Sequence, residues 1–336
     1  MQLKRRSGAP QAAGAARALY MRPLALSAAI VAPLTAGAAV VQAGHRLGAS
    51  LSLTGTDDAV FMSGPGIGLF PAHIVVRTRD LARVRNALQA TGFEPSNSGA
   101  GLALRFDLSG VRLFRPRLAP MAEEMQSTRA KTNVAAAAQW LRAYTARLGL
   151  GATAAELLAP SGRWMQCLHA LQSAPRSAEP ALRSLIGRGT GTTPAGDDLL
   201  IGALAYAWAR QGAEAPIVAA MRALGPELPA LTTSAGASYL RAAARGEFGS
   251  HLIAWVRALP RLSPPRTLAL ALRVAGHGAS SGYDTLAGVI GAAEAAATAP
   301  ASAPPVAAAI RTRNTSIGAT RCRQSKHWST LAVFRP

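Results

Sequence analysis

The sequence predicts an α+β protein with a β-rich N-terminal part followed by a mainly α-helical C-terminal part. Three observations carry this. Short β-prone runs, separated by Gly, Pro, Asp and Ser clusters, fill residues 40–120. After Pro120, apolar residues recur at helical spacing between capping and stop signals. The hydrophobic fraction of 49% is rich in alanine while aromatics make up 5%, which suits helices packed through small side chains better than an aromatic-rich sandwich.

Taken in order, residues 1–39 read as an N-terminal extension, partly flexible. Within it, Leu24 to Val41 is a mild apolar run ending in Val41-Gln42-Ala43, similar to a secretory segment with a small-residue cleavage site. Pro23, Pro33 and Gly37 interrupt the run, alanine dominates it, and the basic residues lie far upstream. An ordinary first helix and strand, with Met21 as a candidate start, is the favoured reading. No other stretch approaches the ~20 apolar residues that span a bilayer.

In the β-rich domain, 40–120, the runs are Leu51–Leu53, Val60–Met62, His73–Val76, Leu102–Phe106 and Val111–Phe114. The last two flank Asp107-Leu108-Ser109-Gly110, a hairpin candidate. One helix interrupts them, beginning at Asp80, sharing a face through Leu81, Val84 and Leu88, and ending at Gly92.

The helical domain, 121–298, opens with a helix capped by Thr132 or Asn133. Its stripe is Val134, Ala138, Leu141, Tyr144 or Thr145, and Leu148, and Gly149 stops it. Further helices are expected over 154–158, 164–171, 197–210, 217–224, 235–244, 252–259, 267–274 and 285–297. The tail 299–336 is Pro/Ala-rich and then basic, and reads as loose.

The formal net charge of +20 would suit nucleic acid, but its distribution argues otherwise. Five basic residues and no acid lie in residues 1–22, and six basic residues and no acid in 301–336; removing those eleven leaves +9 on residues 23–300. Arginine supplies nearly all of it, and no basic stretch is interleaved with aromatics as in a nucleic-acid platform. No nucleic-acid or membrane partner is expected. Cys167 and Cys322 form no disulfide framework and no metal spacing, which suits a reducing, cytoplasmic setting; Cys167 reads as a buried inert thiol.

Two loops carry the chemistry. The first runs from Gly187 to Asp198 into an apolar helix. Gly187, Gly189 and Gly191 let backbone N–H groups approach a ligand. Thr193 is an N-cap candidate and Pro194 suits the first helical position, so the helix's positive end faces the loop and favours an anion. With Thr192, Thr193 and Gly196 these form a candidate binding loop. Adjacent Asp197 and Asp198 suggest a Mg²⁺ bridge to phosphate, or direct contacts to a ligand's N–H groups. The bland alternative is a glycine turn before a capped helix. No Gly-Lys-Ser/Thr follows, so this is not a Walker loop.

The second runs from Gly276 to Gly288. His277 and Asp284 offer a base and an acid, and Ser280, Ser281 and Gly282 offer ligand contacts. Asp284 or Ser281 as a helix cap, and His277 as a packed histidine, are the structural alternatives. Two weaker segments accompany them. Thr232-Thr233-Ser234 reads first as an N-cap before Arg241 and Arg245–Phe248. Ser63–Gly68, before Phe70–His73, is a candidate wall of the ligand site.

Together these segments resemble the AllH-like family, once known only as a domain of unknown function. The resemblance rests on Gly-x-Gly-x-Thr-Pro-x-Gly-Asp-Asp at Gly189–Asp198 and on Gly-His…Ser-Gly-x-Asp-x-Leu-x-Gly at Gly276–Gly288. It rests further on Ala-x-Gly-x-Phe at Ala244–Phe248 and on Gly-Pro-Gly-Ile-Gly…Pro-x-His-Ile-Val at Gly64–Val75. It covers roughly residues 40–295. Gly278-Ala279 lengthens the compact Gly-His-Ser/Thr-Ser-Gly form of the family, and the basic extensions have no counterpart in it.

The resemblance implies a subunit of an oxamate carbamoyltransferase-like system in allantoin and purine catabolism, converting oxalurate and phosphate to oxamate and carbamoyl phosphate. It also implies partner subunits, one acyl-CoA-synthetase-like (FdrA-type) and one from a further family, and a small anionic substrate. Asp197, Asp198, His277 and Asp284 are then the catalytic candidates, Asp197 and Asp198 the metal candidates, Mg²⁺ the only cofactor, and no organic cofactor is expected. The competing readings are a stand-alone metal-dependent hydrolase of a phosphorylated or ribosylated small molecule, and a non-catalytic scaffold subunit.

Overall fold

The computed structural model describes residues 19–30, 42–47, 50–54, 60–66, 68–90, 104–173 and 175–298. Eight short strands precede the helical part: β1 (Leu19–Met21), β2 (Ala25–Ser27), β3 (Gln42–Leu47), β4 (Ser50–Thr54), β5 (Val60–Ser63), β6 (His73–Val75), β7 (Leu104–Phe106) and β8 (Arg112–Phe114). Six form one mixed sheet in the order β3-β4-β5-β6-β2-β8, and β1 pairs with β7 separately. The α+β class holds.

Two expectations about the strands change. Residues 19–30 are not an extension. β2 runs between β6 and β8 with all three residues buried, so it sits inside the sheet. The Asp107–Gly110 hairpin does not form either. The turn exists, with Ser109 N–H donating to Asp107 Oδ1 and Gly110 at φ +66°, but β7 pairs in parallel with β1 and β8 in parallel with β2. The turn joins two ladders instead of closing one. Arg22, beside it, donates to the Ser109 carbonyl.

Strand alternation divides the sheet's faces. Met62 and Ile74 are register partners and face a core shared with Leu26 and with Leu81 and Val84 of α1 (Thr78–Ala90). Phe61 and His73, also partners, point the other way. α1 starts two residues before Asp80. That residue is buried in the first turn and accepts from Arg77 Nε at 2.7 Å. The side chain of Leu88, and Gly92, Leu102, Ala103, Cys322 and the tail from 299, lie outside the described residues.

The helices are α2 (Ala122–Met125), α3 (Thr128–Arg142), α4 (Ala154–Leu157), α5 (Arg163–Ser173), α6 (Pro175–Leu185), α7 (Ala195–Gln211), α8 (Pro216–Leu224), α9 (Leu228–Leu231), α10 (Ser234–Ala244), α11 (Ser250–Ala258), α12 (Pro264–Ala275) and α13 (Ser281–Thr298). Ser127, not Thr132 or Asn133, caps α3. Asn133 is buried mid-helix, where its amide donates to the carbonyls of Leu259 and Leu262 at the end of α11. α3 stops at Arg142, so the stripe of Val134, Ala138 and Leu141 is helical and Leu148 is buried from a loop. α6 was missed because Pro180 interrupts its pattern. Cys167 is half-buried, with its thiol 3.5 Å from Ser184 Oγ. No helix among the described residues is long and apolar enough to cross a membrane.

α7 and α13 form the centre of the helical part. Fourteen residues of α7 and thirteen of α13 are buried, so neither helix has a polar face. They meet at Gly202 and Gly288. A Cβ at Gly202 would land on the carbonyl oxygen of Thr285, and one at Gly288 on that of Leu199. We expect Gly288→Ala to cost about 3 kcal/mol or more, because backbone rather than a movable side chain occupies the space. Chemical denaturation checks this; a midpoint unchanged from the parent protein would show that the helices can part freely.

Candidate functional site

Between α6 and α7 the chain turns through Gly187, Gly189 and Gly191, at φ +73°, +99° and +104°. Only glycine holds such angles at little cost. Gly196 N–H then donates to the Arg188 carbonyl, and a Cβ at Gly196 would strike the Leu185 carbonyl. The loop is thus folded back onto the helix it opens. Thr193 does not cap α7; Pro194 holds the cap position, with no side-chain cap bond.

Asp197 is a fastening. It is fully buried and accepts from Gly187 N–H at 2.8 Å and from the Thr232 hydroxyl. A Cβ at Gly236 would collide with the same carboxylate. Thr233 caps α10, accepting from Gly236 N–H, and its hydroxyl donates to the Thr192 carbonyl. The Thr232–Ser234 segment therefore braces the glycine loop from behind.

The second loop closes in the same manner. Gly278 has φ +67°, Gly282 N–H donates to the His277 carbonyl, and Gly282 packs directly on the Val274 carbonyl. Ser280 precedes α13, and its carbonyl accepts from Asp284 N–H. The two loops meet through Thr193 Oγ1 and Ser281 Oγ, 3.3 Å apart. At Gly149, an added Cβ would meet Ala195 at 2.5 Å, Ser280 Oγ at 2.8 Å and Asp284 Oδ2 at 2.9 Å. The N-terminal ends of α7 and α13 therefore open side by side.

They open onto a cleft of about 820 Å³. Thr190–Thr193 line one side, and His277, Ser280 and Ser281 another. Gly187, Gly189 and Gly196 shape the loop from behind without lining the cleft. Asp198 and Gly282 line a smaller cavity of about 70 Å³ beneath it, together with Thr193, Tyr239 and His277. Asp284 is fully buried and lines neither cavity.

The remaining walls come from residues outside the two motifs. Phe61, Tyr239, His251, Arg273 and Gly66 line the cleft. Phe70 gathers them, its ring 4.5 Å from His277, 5.6 Å from His73 and 5.9 Å from Tyr239. His73 is buried in a defined tautomer. Its Nδ1 accepts from Phe70 N–H at 3.3 Å, so Nε2–H donates to Ser63 Oγ at 2.9 Å, which in turn donates to the Gly64 carbonyl. Tyr239, His251 and Arg273 sit within ordinary helical runs, where spacing alone cannot mark them. His73 lay in plain view within the Pro-x-His-Ile-Val segment.

Electrostatics sort the acids. Asp198 is nearly shut from solvent and accepts from the Thr193 hydroxyl at 3.2 Å. Burial holds its carboxyl well above the usual carboxylate range, against the opposing pull of Ser281, and Asp284 and Asp197 reinforce the rise. Burial lifts Asp284 to about 6, opposed by the Ser280 hydroxyl and the Gly149 backbone. Neither of its oxygens has a well-formed hydrogen bond. Burial likewise lowers His277 to about 4, with His251 adding to it, and lowers His73 to about 4, with His277 adding to it. At neutral pH these two rings are uncharged.

The residues present do not fit a magnesium ion. Both oxygens of Asp197 are already engaged, Asp198 is nearly shut from solvent and held by Thr193, and no cluster of three His, Cys, Asp or Glu side chains among the described residues could hold a metal.

Residues 185–293 match the family described as oxamate carbamoyltransferase subunit AllH. The match runs from the last residue of α6 into α13 and takes in both loops and the Thr232–Ser234 brace. It leaves out Gly64–Val75, which the wider resemblance included. No solved structure matches the chain.

Asp284 gives a pH test. Its folded value near 6 exceeds the ordinary 3.8, so the folded protein holds this proton more tightly than the unfolded chain. Its contribution is at its best below about 3.8 and declines as pH rises through 6. Asp284→Asn removes that decline. We expect the variant to be more stable than the parent at pH 8, by on the order of 2–3 kcal/mol, with the gain shrinking toward pH 4. Thermal melts across this range check it, and equal melting shifts at both ends would contradict the assignment.

Proposed function

We propose that the chain is a subunit of an oxamate carbamoyltransferase-like system, and that the cleft takes phosphate or the carbamoyl phosphate made from it. The observation that carries the reading is the meeting of two separate loops, both within the AllH-matched segment, at the paired N-termini of α7 and α13. Among the described residues no aspartate or glutamate lines the cleft. Backbone N–H groups and helix ends of this kind favour an anion.

The chemistry follows from the layering. A phosphate oxygen attacks the terminal carbamoyl carbon of oxalurate, forming the new C–O bond. The C–N bond to the oxamyl nitrogen breaks, and that nitrogen leaves as the amide of oxamate once it takes up a proton. Asp198 is placed to supply the proton. Its Oδ2 accepts from the Thr193 hydroxyl, a bond that reverses when the carboxyl carries the proton, and Thr193 and Ser281 form the hydroxyl layer between it and the cleft. His277, uncharged and packed at a tilt against Phe70, offers a fixed neutral hydrogen-bonding group rather than an acid. Asp197 acts through the loop shape and is a positioning residue. Catalysis of this type rests on positioning and on stabilising developing charge, with no covalent intermediate.

The partners in this reading are the acyl-CoA-synthetase-like subunit and the further family subunit, so the assay belongs to the reconstituted assembly. Asp198→Asn is expected to reduce oxalurate phosphorolysis by about a hundredfold or more, the scale of a lost general acid. Steady-state kinetics with the assembled complex check this. Unchanged turnover, in a complex shown to be complete, would remove Asp198 from the reaction and favour a scaffold role for this chain.

A further inference from the structure

The cleft has a second pole. Besides the glycine loop, Arg273 of α12 and His251 of α11 line the same space, with a guanidinium nitrogen 3.4 Å from His251 Nε2. Among the described residues no carboxylate lies within ion-pair distance of Arg273. Some exposed arginines elsewhere find acids, as Arg183 does with Glu179 and Glu227, Arg245 with Glu247 and Arg261 with Glu124, while others such as Arg129 and Arg257 donate to backbone carbonyls; Arg273 instead reaches a histidine inside the cleft. An acid-free arginine on an acid-free wall is the arrangement that takes an anion from outside.

This pole is built rather than incidental. Ser250 fastens the start of α11 to the Gly68–Phe70 loop in both directions: its N–H donates to the Leu69 carbonyl at 2.7 Å, and its hydroxyl accepts from Leu69 N–H at 3.0 Å. His251 follows directly. Gly68, at φ +92°, makes room for its ring, since a Cβ there would come within 3.1 Å of the imidazole. Arg273 donates to Nε2, so the proton of neutral His251 sits on Nδ1.

We propose that Arg273, with His251 beside it, is a specificity-determining carboxylate clamp, so the cleft selects small ligands bearing a carboxylate at one end and a transferable or anionic group at the other. This rests on the cleft being the substrate site, but not on what the glycine loop binds. The space suits two poles. A cleft of about 820 Å³ exceeds the needs of one phosphate-sized ion, and ligand clefts of this size commonly fix a ligand through a few separated polar groups. A guanidinium fork meets a carboxylate with two parallel bonds, which neutral amides cannot reproduce.

The test uses the full chain and calorimetric titration with oxamate and with oxamide, the neutral diamide of similar size. The parent protein is expected to prefer oxamate by about tenfold or more, the scale of a charge-assisted hydrogen-bond pair. Arg273→Gln should erase the preference. Arg273→Lys, which keeps the charge but loses the fork, should retain part of it. Equal or absent binding of the two probes by the parent protein, or a preference that survives in Arg273→Gln, overturns the proposal. Arg273 is exposed on α12, and a thermal melt confirms that the variants fold. Inorganic phosphate separates the two readings. If its binding is indifferent to Thr193→Val while the oxamate preference still follows Arg273, the glycine loop is not the phosphate site and the clamp stands.

Discussion

Backbone contact between α7 and α13 is the constraint on which the site depends. Two helices carrying side chains at the crossing could not bring their N-termini close enough for Thr193 and Ser281 to touch. Gly202 and Gly288 remove the obstacle, each packed on a carbonyl of the opposite helix. A turn further along α13, Gly291 packs instead on side chains from outside the pair, those of Leu168 and Leu158. The alanine-rich composition is a consequence: a central pair packed this tightly needs small residues all round. The same closeness aligns two positive helix ends in one direction, an arrangement that a single helix cannot supply.

That alignment explains how acids survive beneath the cleft. Burial alone makes an ionised carboxyl costly, by more than the 1–3 kcal/mol of an unsatisfied neutral group. The three acids meet the cost differently. Asp197 has two donors, which offset only part of the rise that burial gives its carboxyl, and it ties Gly187 to the α9–α10 connection. Asp198 and Asp284 lie near one another with fewer donors, and both hold their protons more tightly than a solvated aspartate. A buried carboxyl that keeps a proton leaves the positive potential of the helix ends uncancelled and also stores that proton within reach of the cleft. A helical step thus separates the adjacent pair Asp197-Asp198, turning one to the brace and the other toward the hydroxyl layer, and the proposed reading gives the first to architecture and the second to chemistry.

Much of this was legible in the sequence, for local reasons. Glycine at positive φ, a cap within Thr232–Ser234 and most of the helical periodicity from Ala154 to Ala297 are determined within a few residues, and the structure has them where the spacing implied, α6 and the short α9 excepted. What escaped was decided at long range. The Asp107–Gly110 turn looks like a hairpin because nothing local reveals that β1 and β2 wait as partners for β7 and β8. Asn133 looks like a cap because nothing local reveals the end of α11 that its amide serves. Adjacent acids suggest a metal because nothing local shows Thr232 already holding one of them. His251 and Arg273, 22 residues apart on two helices, carry no signal until those helices pack.

The walls of the cleft also divide along the chain in a way that bears on substrate choice. The loops, the hydroxyl layer and the buried acids all lie within residues 185–293, where the chain matches the AllH family, as do Tyr239, His251 and Arg273. The opposing face is supplied by β5 and by the loop leading to β6, through Phe61, Gly66 and Phe70. These residues reach the helices only because strand alternation turns Phe61 and His73 away from the α1 core, and because Ser250 anchors Leu69 to α11. The position of His251 depends on Gly68 and that of His277 on Phe70, so the sheet sets the geometry of side chains that the helical part contributes. A helical part detached from the sheet would keep its buried acids and lose the surface against which its histidines are placed. In the proposed reading, anion binding at the loops would therefore belong to the helices, whereas discrimination among anions would require both parts of the chain together.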